Sequence, residues 1–390
     1  MRARRFEAMR LIFDIRFRAW LYQVVAVLGV ILTGWYLYSN VRANLQAHNI
    51  ATGFDYLNRE SGLLLSESVI DFQPSDTYAR ALVAGILNTI HVSIVSVIFA
   101  TLIGTVVGVA RLSKNPLLAR LTMLYVEALR NAPLLLQLFL WHAVIISVLP
   151  GPRDAVELLP SVFISNSGLV IPSLQWEAGH RWMLFALAVG LILAWQVRKR
   201  LLAARVESGN QRLIWPHLLL LTFAPVLIAY LFFHPDFVFD IAEKGRFRIT
   251  GGMQLKPEFT VLAFGLSTTA SAFIAEIVRA GIMTIRKGQS EAAFALGLTR
   301  GQTMRLVILP QAVRVIIPPL TNTYLSLVKN SSLAIAIGFP DVVMVTNSTI
   351  NMTGQGIEGI ALLMLIYLSL SITISLFMNW YNAHVALKER

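Results

Sequence analysis

The sequence predicts an all-α polytopic membrane protein with about eight transmembrane helices, and three observations carry that prediction. Hydrophobic residues make up 56% of the 390 and charged residues only 14%, with a mean hydropathy of +0.65, outside the balance of soluble domains. Several runs of about 20 residues lack charge, the length an α-helix needs to cross roughly 30 Å of hydrocarbon with its backbone paired internally. Lys and Arg are distributed unevenly over the segments between those runs, as the positive-inside rule expects.

Five uncharged runs are spans on length alone: 19–41, 81–110, 131–152, 213–235 and 359–383. The run 182–197 is shorter and crosses by recruiting flanking residues, its Arg side chains reaching toward headgroups. Segment 259–285 is apolar apart from Glu276 and Arg279, and 315–340 apart from Lys329, which brings the total to eight. The first run is too long for a signal peptide and lacks a clear small-residue cleavage site, so it reads as an anchor.

An even number of spans puts both termini on one side. With the N-terminus cytoplasmic, the inward segments hold 23 Lys and Arg and the outward ones nine. That partition accounts for most of the formal net charge of +12 without nucleic acid as a partner. The outward segment 42–80 is polar enough to be a small exposed lobe. The chain has no cysteine, which removes disulfides, thiolate metal sites and thiol catalysis. No β-barrel alternation and no Gly-x-x-x-x-Gly-Lys-Ser/Thr phosphate loop occurs, so no site for ATP hydrolysis is visible. Neither a metal site nor a bound cofactor is expected.

One inward segment reads as soluble: "EAAFALGLTRGQTMRLVILP", residues 291–310. Ser290 can cap a short helix with Glu291 in its first turn. Gly297 followed by apolar Leu298 is the pattern of a left-handed helix C-cap. Thr299 and Gln302 stand three apart as a capping box, and the second helix is expected to end at or before Pro310. Two short helices and a sharp bend result, with Ala292, Ala293 and Leu296 as a small-sided surface. The segment is either a hairpin packed on its own spans or a docking knob for a separate soluble protein; the two are compatible.

Ionisable groups within spans are costly and point to function or pairing. Lys329 can attract a substrate carboxylate, pair with a core carboxylate, or snorkel. Glu276 and Arg279, three apart on one helix, can form a local pair or serve in gating. Pro318 and Pro319 are expected to kink their span, and Asn322, Thr323 and Tyr324 follow with polar groups that can line a pathway or shape subunit packing. Arg130, Asn131 and Pro133 mark a helix start, a subunit contact or an anchor. His91 and His142 read as helix-interface histidines.

The residues of 291–310 resemble the "EAA" signature of ABC-importer permease subunits, with Glu291, Ala292, Ala293, Gly297 and Pro310 at its defining positions. "EALRNAPLLLQLFL" (127–140) and "PQAVRVIIPPLTNTYLSLVKNSSLA" (310–334) are similar to the polar amino-acid uptake branch. Where branch members commonly have Lys-x-Thr-Ser-Leu, this chain has Lys329, Ser331, Ser332 and Leu333, keeping a hydroxyl but altering its methyl packing. The resemblance covers 78–149 and 257–390, so 1–77, with the first span and outward lobe, and 150–256, with two spans, are additions as in long permeases of general L-amino-acid uptake systems. It implies an ABC-importer permease core in a bacterial inner membrane, with both termini cytoplasmic and a coupling loop at 284–314. It further implies a second permease subunit, preferably a related but distinct chain, two ATP-binding subunits that use ATP and Mg, and a periplasmic amino-acid-binding protein. Asn322, Thr323, Tyr324, Lys329 and Ser332 are then candidates for the substrate pathway, and Arg130, Asn131, Pro133, Glu276 and Arg279 for helix starts or gating. The rival readings are an ion-gradient secondary transporter, for which Glu276 is the persuasive acidic relay and the EAA loop has no use, and a non-transporting assembly protein.

Overall fold

The computed structural model describes residues 15–47, 52–208, 214–245 and 248–385. The basic stretches 1–14, 209–213 and 386–390, on which the inward placement of both termini and of one loop partly rests, lie outside that description. The helices are α1 (Ile15–Ala47), α2 (Tyr78–Ala110), α3 (Pro116–Asn131), α4 (Leu134–Ala143), α5 (Ala178–Ser208), α6 (Trp215–Phe233), α7 (Pro257–Met283), α8 (Lys287–Ala295), α9 (Arg300–Thr303), α10 (Leu309–Asn330), α11 (Val342–Thr353) and α12 (Gly356–Val385). Among the described residues, seven helices are long and apolar enough to cross a membrane, and α3 with the α4 region makes an eighth if counted as one span. Two compact units form, Met1–Asn131 with Leu266–Arg390, and Ala132–Gly265. The expected limits at 149 and 257 both fall within the second.

In the first unit α2 is the central helix. Thr77 caps it by accepting the Arg80 N–H, and its buried face is a file of small residues, Gly85, Thr89, Ser93, Ala100, Gly104 and Gly108, which let neighbouring backbones approach as membrane helices do. α7 runs parallel to it, and α10 lies against both in the opposite sense, with Tyr324 hydrogen-bonded to Thr101 at 2.9 Å. α1 is exposed along nearly its whole length, the condition of an apolar helix whose neighbour is lipid or another chain.

Residues 52–77 of the expected lobe are mostly exposed or half-buried and run as a strap pinned at a few buried side chains. Tyr56 is 1% exposed and packs with Leu63, Tyr78, Ala81, Leu82 and Val345, so residues 52–77 lie over the ends of α2, α11 and α12. Its apolar residues had been hidden from hydropathy windows by the acidic residues between them.

Two expected spans also change. Run 131–152 is broken at Ala132 and Pro133, since proline disfavours helix at the preceding residue, and resumes only as α4 with a π-turn, Val144–Val148. Run 315–340 is helical from Leu309 but ends at Asn330, then tightens into a 3-10 segment, Ser331–Ile337, closed by left-handed Gly338. α10 runs unbroken through Pro318 and Pro319, and the Thr321 and Thr323 hydroxyls donate back to Ile317 and Pro319 carbonyls, each at 3.4 Å.

The second unit contains a helical hairpin and a small sheet. α5 spans 31 residues, and Gly190 lets it touch α6, for a Cβ there would lie 2.5 Å from the Thr222 carbonyl. Strands β1 (Val156–Leu159), β2 (Val162–Ser165), β3 (Gly168–Ile171), β4 (Ser173–Leu174), β5 (Phe239–Asp240), β6 (Glu243–Lys244), β7 (Ile249–Thr250) and β8 (Met253–Leu255) flank the hairpin in sequence. They form an antiparallel sheet in the order β1-β2-β3-β8 and two two-stranded ribbons, over a core of Ala155, Phe163, Val170 and Ala242.

Candidate functional site

The loop 284–314 folds as two short helices about a bend. α8 begins at Lys287 with Arg286 at its N-cap and no side-chain cap, so Ser290 lies inside the helix and does not start it. Its C-terminus is a Schellman motif. Gly297 has φ +78°, the Leu298 N–H donates to the Ala293 carbonyl at 3.1 Å, and the Gly297 N–H to the Phe294 carbonyl at 2.9 Å. Thr299 then forms a complete capping box with Gln302, and α9 follows.

That second helix does not end at Pro310. A π-turn, Met304–Ile308, joins α9 to α10 and places Pro310 in the first turn of α10. The wider turn accommodates a residue with no N–H to donate. The Gln311 amide donates to the Val307 carbonyl at 2.9 Å and to Gln289 Oε1 at 3.3 Å, stitching α8 to the start of α10. Ala293 is buried while Glu291 and Ala292 are open. Phe294 and Leu296 are 47% and 82% exposed, so the loop is anchored on one side and presents apolar side chains on the other.

Within α10, Asn322 and Lys329 stand seven residues apart, on one face, and both are exposed. Lys329 enters no ion pair among the described residues; its charge lies in the last helical turn, favourable against the dipole. Thr323 and Tyr324 are half-buried, and Tyr324 is committed to Thr101 of α2. The Ser332 hydroxyl donates to the Lys329 carbonyl at 2.7 Å, capping α10. The five are not gathered into one pocket. Arg130 stacks over the Phe273 ring at 5.2 Å, Asn131 closes α3, and Pro133 is the N-cap of α4.

Glu276 and Arg279 do pair, Arg279 Nε donating to Glu276 Oε1 at 3.2 Å. A third member is Arg111, at the C-cap of α2, which pairs with the other carboxylate oxygen. Sequence reasoning missed it because it is 165 residues away; its signal was its place as the first charge after run 81–110.

The profile of the binding-protein-dependent transport system inner membrane component matches residues 96–388. The chain belongs to that family. It is a multi-pass protein of the inner membrane, and the matched residues include α7 to α12 and the loop between α7 and α10. It is 43% identical, over 97% of its length and 94% of the relative's, to the general L-amino acid transport system permease protein AapQ of Rhizobium johnstonii. YhdX of Escherichia coli (strain K12) is 44% identical over 96% of this chain and 95% of its own. The glutamate/glutamine/aspartate/asparagine transport system permease protein BztB of Rhodobacter capsulatus is 39% identical over 99% and 97%.

A second polar cluster, at the strap end of this inner membrane component, had no sequence signal beyond isolated polar residues. Asn88, 2% exposed, donates to the Glu67 and Pro340 carbonyls at 2.9 Å and accepts the Val69 N–H at 3.0 Å. Thr89 accepts the Val342 N–H at 3.1 Å. Asp341, fully buried between the spans, caps α11, and burial pushes its carboxyl up to about 7 against the pull of the Met344 and Val343 N–H groups. These bonds tie strap, α2 and α11 together.

Proposed function

We propose that the chain is the permease subunit of an ATP-driven importer for L-amino acids, forming the translocation path and receiving motion from separate ATPase subunits. The observation that carries this is the loop between α7 and α10, anchored through Ala293 with Phe294 and Leu296 exposed, in a family defined by dependence on a binding protein. Relatives whose names specify amino-acid transport, at 39–43% identity over nearly their full length, support the substrate class.

In this reading the loop faces the cytoplasm, as do both termini, and Glu291, Ala292, Ala293, Gly297 and Pro310 shape the part that seats in an ATPase subunit. ATP and Mg belong to that partner, and this subunit hydrolyses nothing. A second, related permease chain completes the path, and a periplasmic amino-acid-binding protein delivers substrate. Asn322 and Lys329 face the path, Lys329 drawing the substrate carboxylate, while Thr323, Tyr324 and Ser332 shape the helix that presents them. Arg130, Asn131 and Pro133 set the turn between α3 and α4. ATP binding favours one arrangement of the ATPases over the other, and the loop passes that preference to the spans.

Reconstitution tests the whole. Labelled amino acids enter proteoliposomes only when ATP, the ATPase subunits, the second permease and the binding protein are all present. Uptake by this chain alone under an ion gradient, without ATP, overturns it.

A further inference from the structure

Two seams run along α7, and they differ in kind. Toward α2 the backbones touch. A Cβ on Gly104 would sit 2.6 Å from Ile274 Cβ, and one on Gly108 would sit 2.7 Å from the Ala275 carbonyl. The two glycines are four apart, the spacing that brings membrane helices into backbone contact. Val126 of α3 packs into the same seam against Ala272 and Ala275, and the Tyr125 hydroxyl meets Ser271 Oγ at 2.6 Å. The end of the seam is fastened by Arg111 and Arg279, both on Glu276.

Toward α10 the seam closes tightly at one level and opens beside it. α7 and α10 approach at Gly281, where a Cβ would lie 2.4 Å from Ile316 Cγ1. Beside that contact is a cavity of about 210 Å³ whose walls include Glu276, Ile277, Ala280, Val315 and Pro319. This void opens outward, with Ala280, Val315 and Pro319 exposed, and side chains without neighbours there forfeit contacts that would hold the helices in one arrangement. Pro318 and Pro319 remove two N–H donors from α10 at the same level, which makes this turn easier to bend. α10 continues through the π-turn directly into α9 and the loop.

We infer that α2, α3 and α7 form one block, and that α10 is the helix that shifts against it when the loop moves. Glu276 is a positioning residue. It lines the void yet holds two arginines, Arg111 from the end of α2 and Arg279 from α7 itself. Without its charge the two half-buried guanidinium groups lose their shared partner and repel each other. The loop drives the shift on the permease reading given above; the contrast between the seams is independent of it.

The absence of cysteine gives a clean background for cross-linking. In the assembled transporter, with ATPase, second permease and binding protein, Ile277→Cys with Val315→Cys places a pair across the void. Val107→Cys with Ala275→Cys places one across the packed seam. Both are bridged with a short bis-methanethiosulfonate and released with reductant. Uptake of labelled amino acid before bridging checks the permease reading separately. Bridging the void is expected to lower uptake about tenfold, as for a gating step that limits turnover, with reductant restoring it. Bridging the packed seam leaves uptake within about twofold. Normal uptake with the void bridged, or a reductant-reversible loss with the packed seam bridged, overturns the inference. Glu276→Gln is expected to lower uptake per ATP hydrolysed several-fold at an unchanged amount of assembled complex, with Glu276→Asp recovering part of it. An unchanged ratio in Glu276→Gln removes its positioning role.

Discussion

Asp341 accepts the backbone N–H of Met344 at 2.8 Å, closing the first turn of α11 with a carboxylate that has no access to solvent. The helix needs the acceptor, but burial penalises the charge. Its second oxygen, Oδ2, has no hydrogen-bond partner among the described residues, so the charged form gains little beyond the cap.

The sign of the resulting pH dependence follows. Burial raises the carboxyl from 3.8 to about 7, so the folded chain holds a proton that the unfolded chain has lost. This contribution to stability is complete below about pH 4 and lost as pH rises to about 7, amounting to about 4 kcal/mol at most. Thermal unfolding in detergent should therefore occur at lower temperature at pH 8 than at pH 5. Asp341→Asn should flatten that slope, since an amide oxygen caps equally well without titrating. An unchanged slope in the variant rules the assignment out.

Asn88 makes three hydrogen bonds to backbone groups of the strap and of Pro340. Asn88→Leu keeps its bulk and strands those groups, at about 1–3 kcal/mol for each left buried and unpaired. Hydrogen exchange at residues 67–72 should accelerate and protease should cut within 52–77, while the α5 and α6 hairpin stays protected. Equal protection of the strap in variant and wild type would refute this.

What could be read in the sequence was local. The Gly297 bend, the Thr299 and Gln302 box and the Glu276 and Arg279 pair involve residues within four positions of each other, where backbone conformation alone decides. Arg111, Asn88 and Asp341 acquire their roles only when distant helices meet, so single-chain periodicity is silent about them. Hydropathy windows also overran at 131–152 and 315–340, because Pro133 and Gly338 interrupt a helix without adding polarity. The sheet of the second unit escaped because its strands are only two to four residues long.

Gly104 and Gly29 are both helical glycines in apolar runs, yet they should respond oppositely to alanine. The Gly104 methyl has no room against Ile274, and overpacking costs about 1–3 kcal/mol. Gly29 and Gly34 on α1 have nothing within 4 Å, so alanine there is neutral or gains up to about 1 kcal/mol of helix propensity. Thermal stability of the purified variants checks the contrast, and equal effects at both sites would contradict the packed α2 and α7 seam.

Gly297 tests the loop by conformation alone. Its φ of +78° is one that L side chains seldom adopt, yet nothing lies within 4 Å of the position a Cβ would take. A substitution there meets no clash and bears only the cost of the left-handed backbone, about 1–2 kcal/mol, which shifts the bent population by roughly 5 to 30-fold. The cost is smallest for Asn and largest for Val, whose branched Cβ tolerates this region least. Gly297→Asp lies between and adds a charge to the exposed face. All three should insert normally and lower substrate-stimulated ATPase activity of the assembled complex in the order Asn, Asp, Val. Gly288 and Gly301 flank the bend in equally open space without a left-handed φ, so their alanine variants should retain stimulation. If Gly297→Val stimulates like wild type, the bend is not what carries motion from the ATPase into α10. If Gly301→Ala loses as much as Gly297→Val, the loop is sensitive to any added side chain, and the left-handed cap has no special part in coupling.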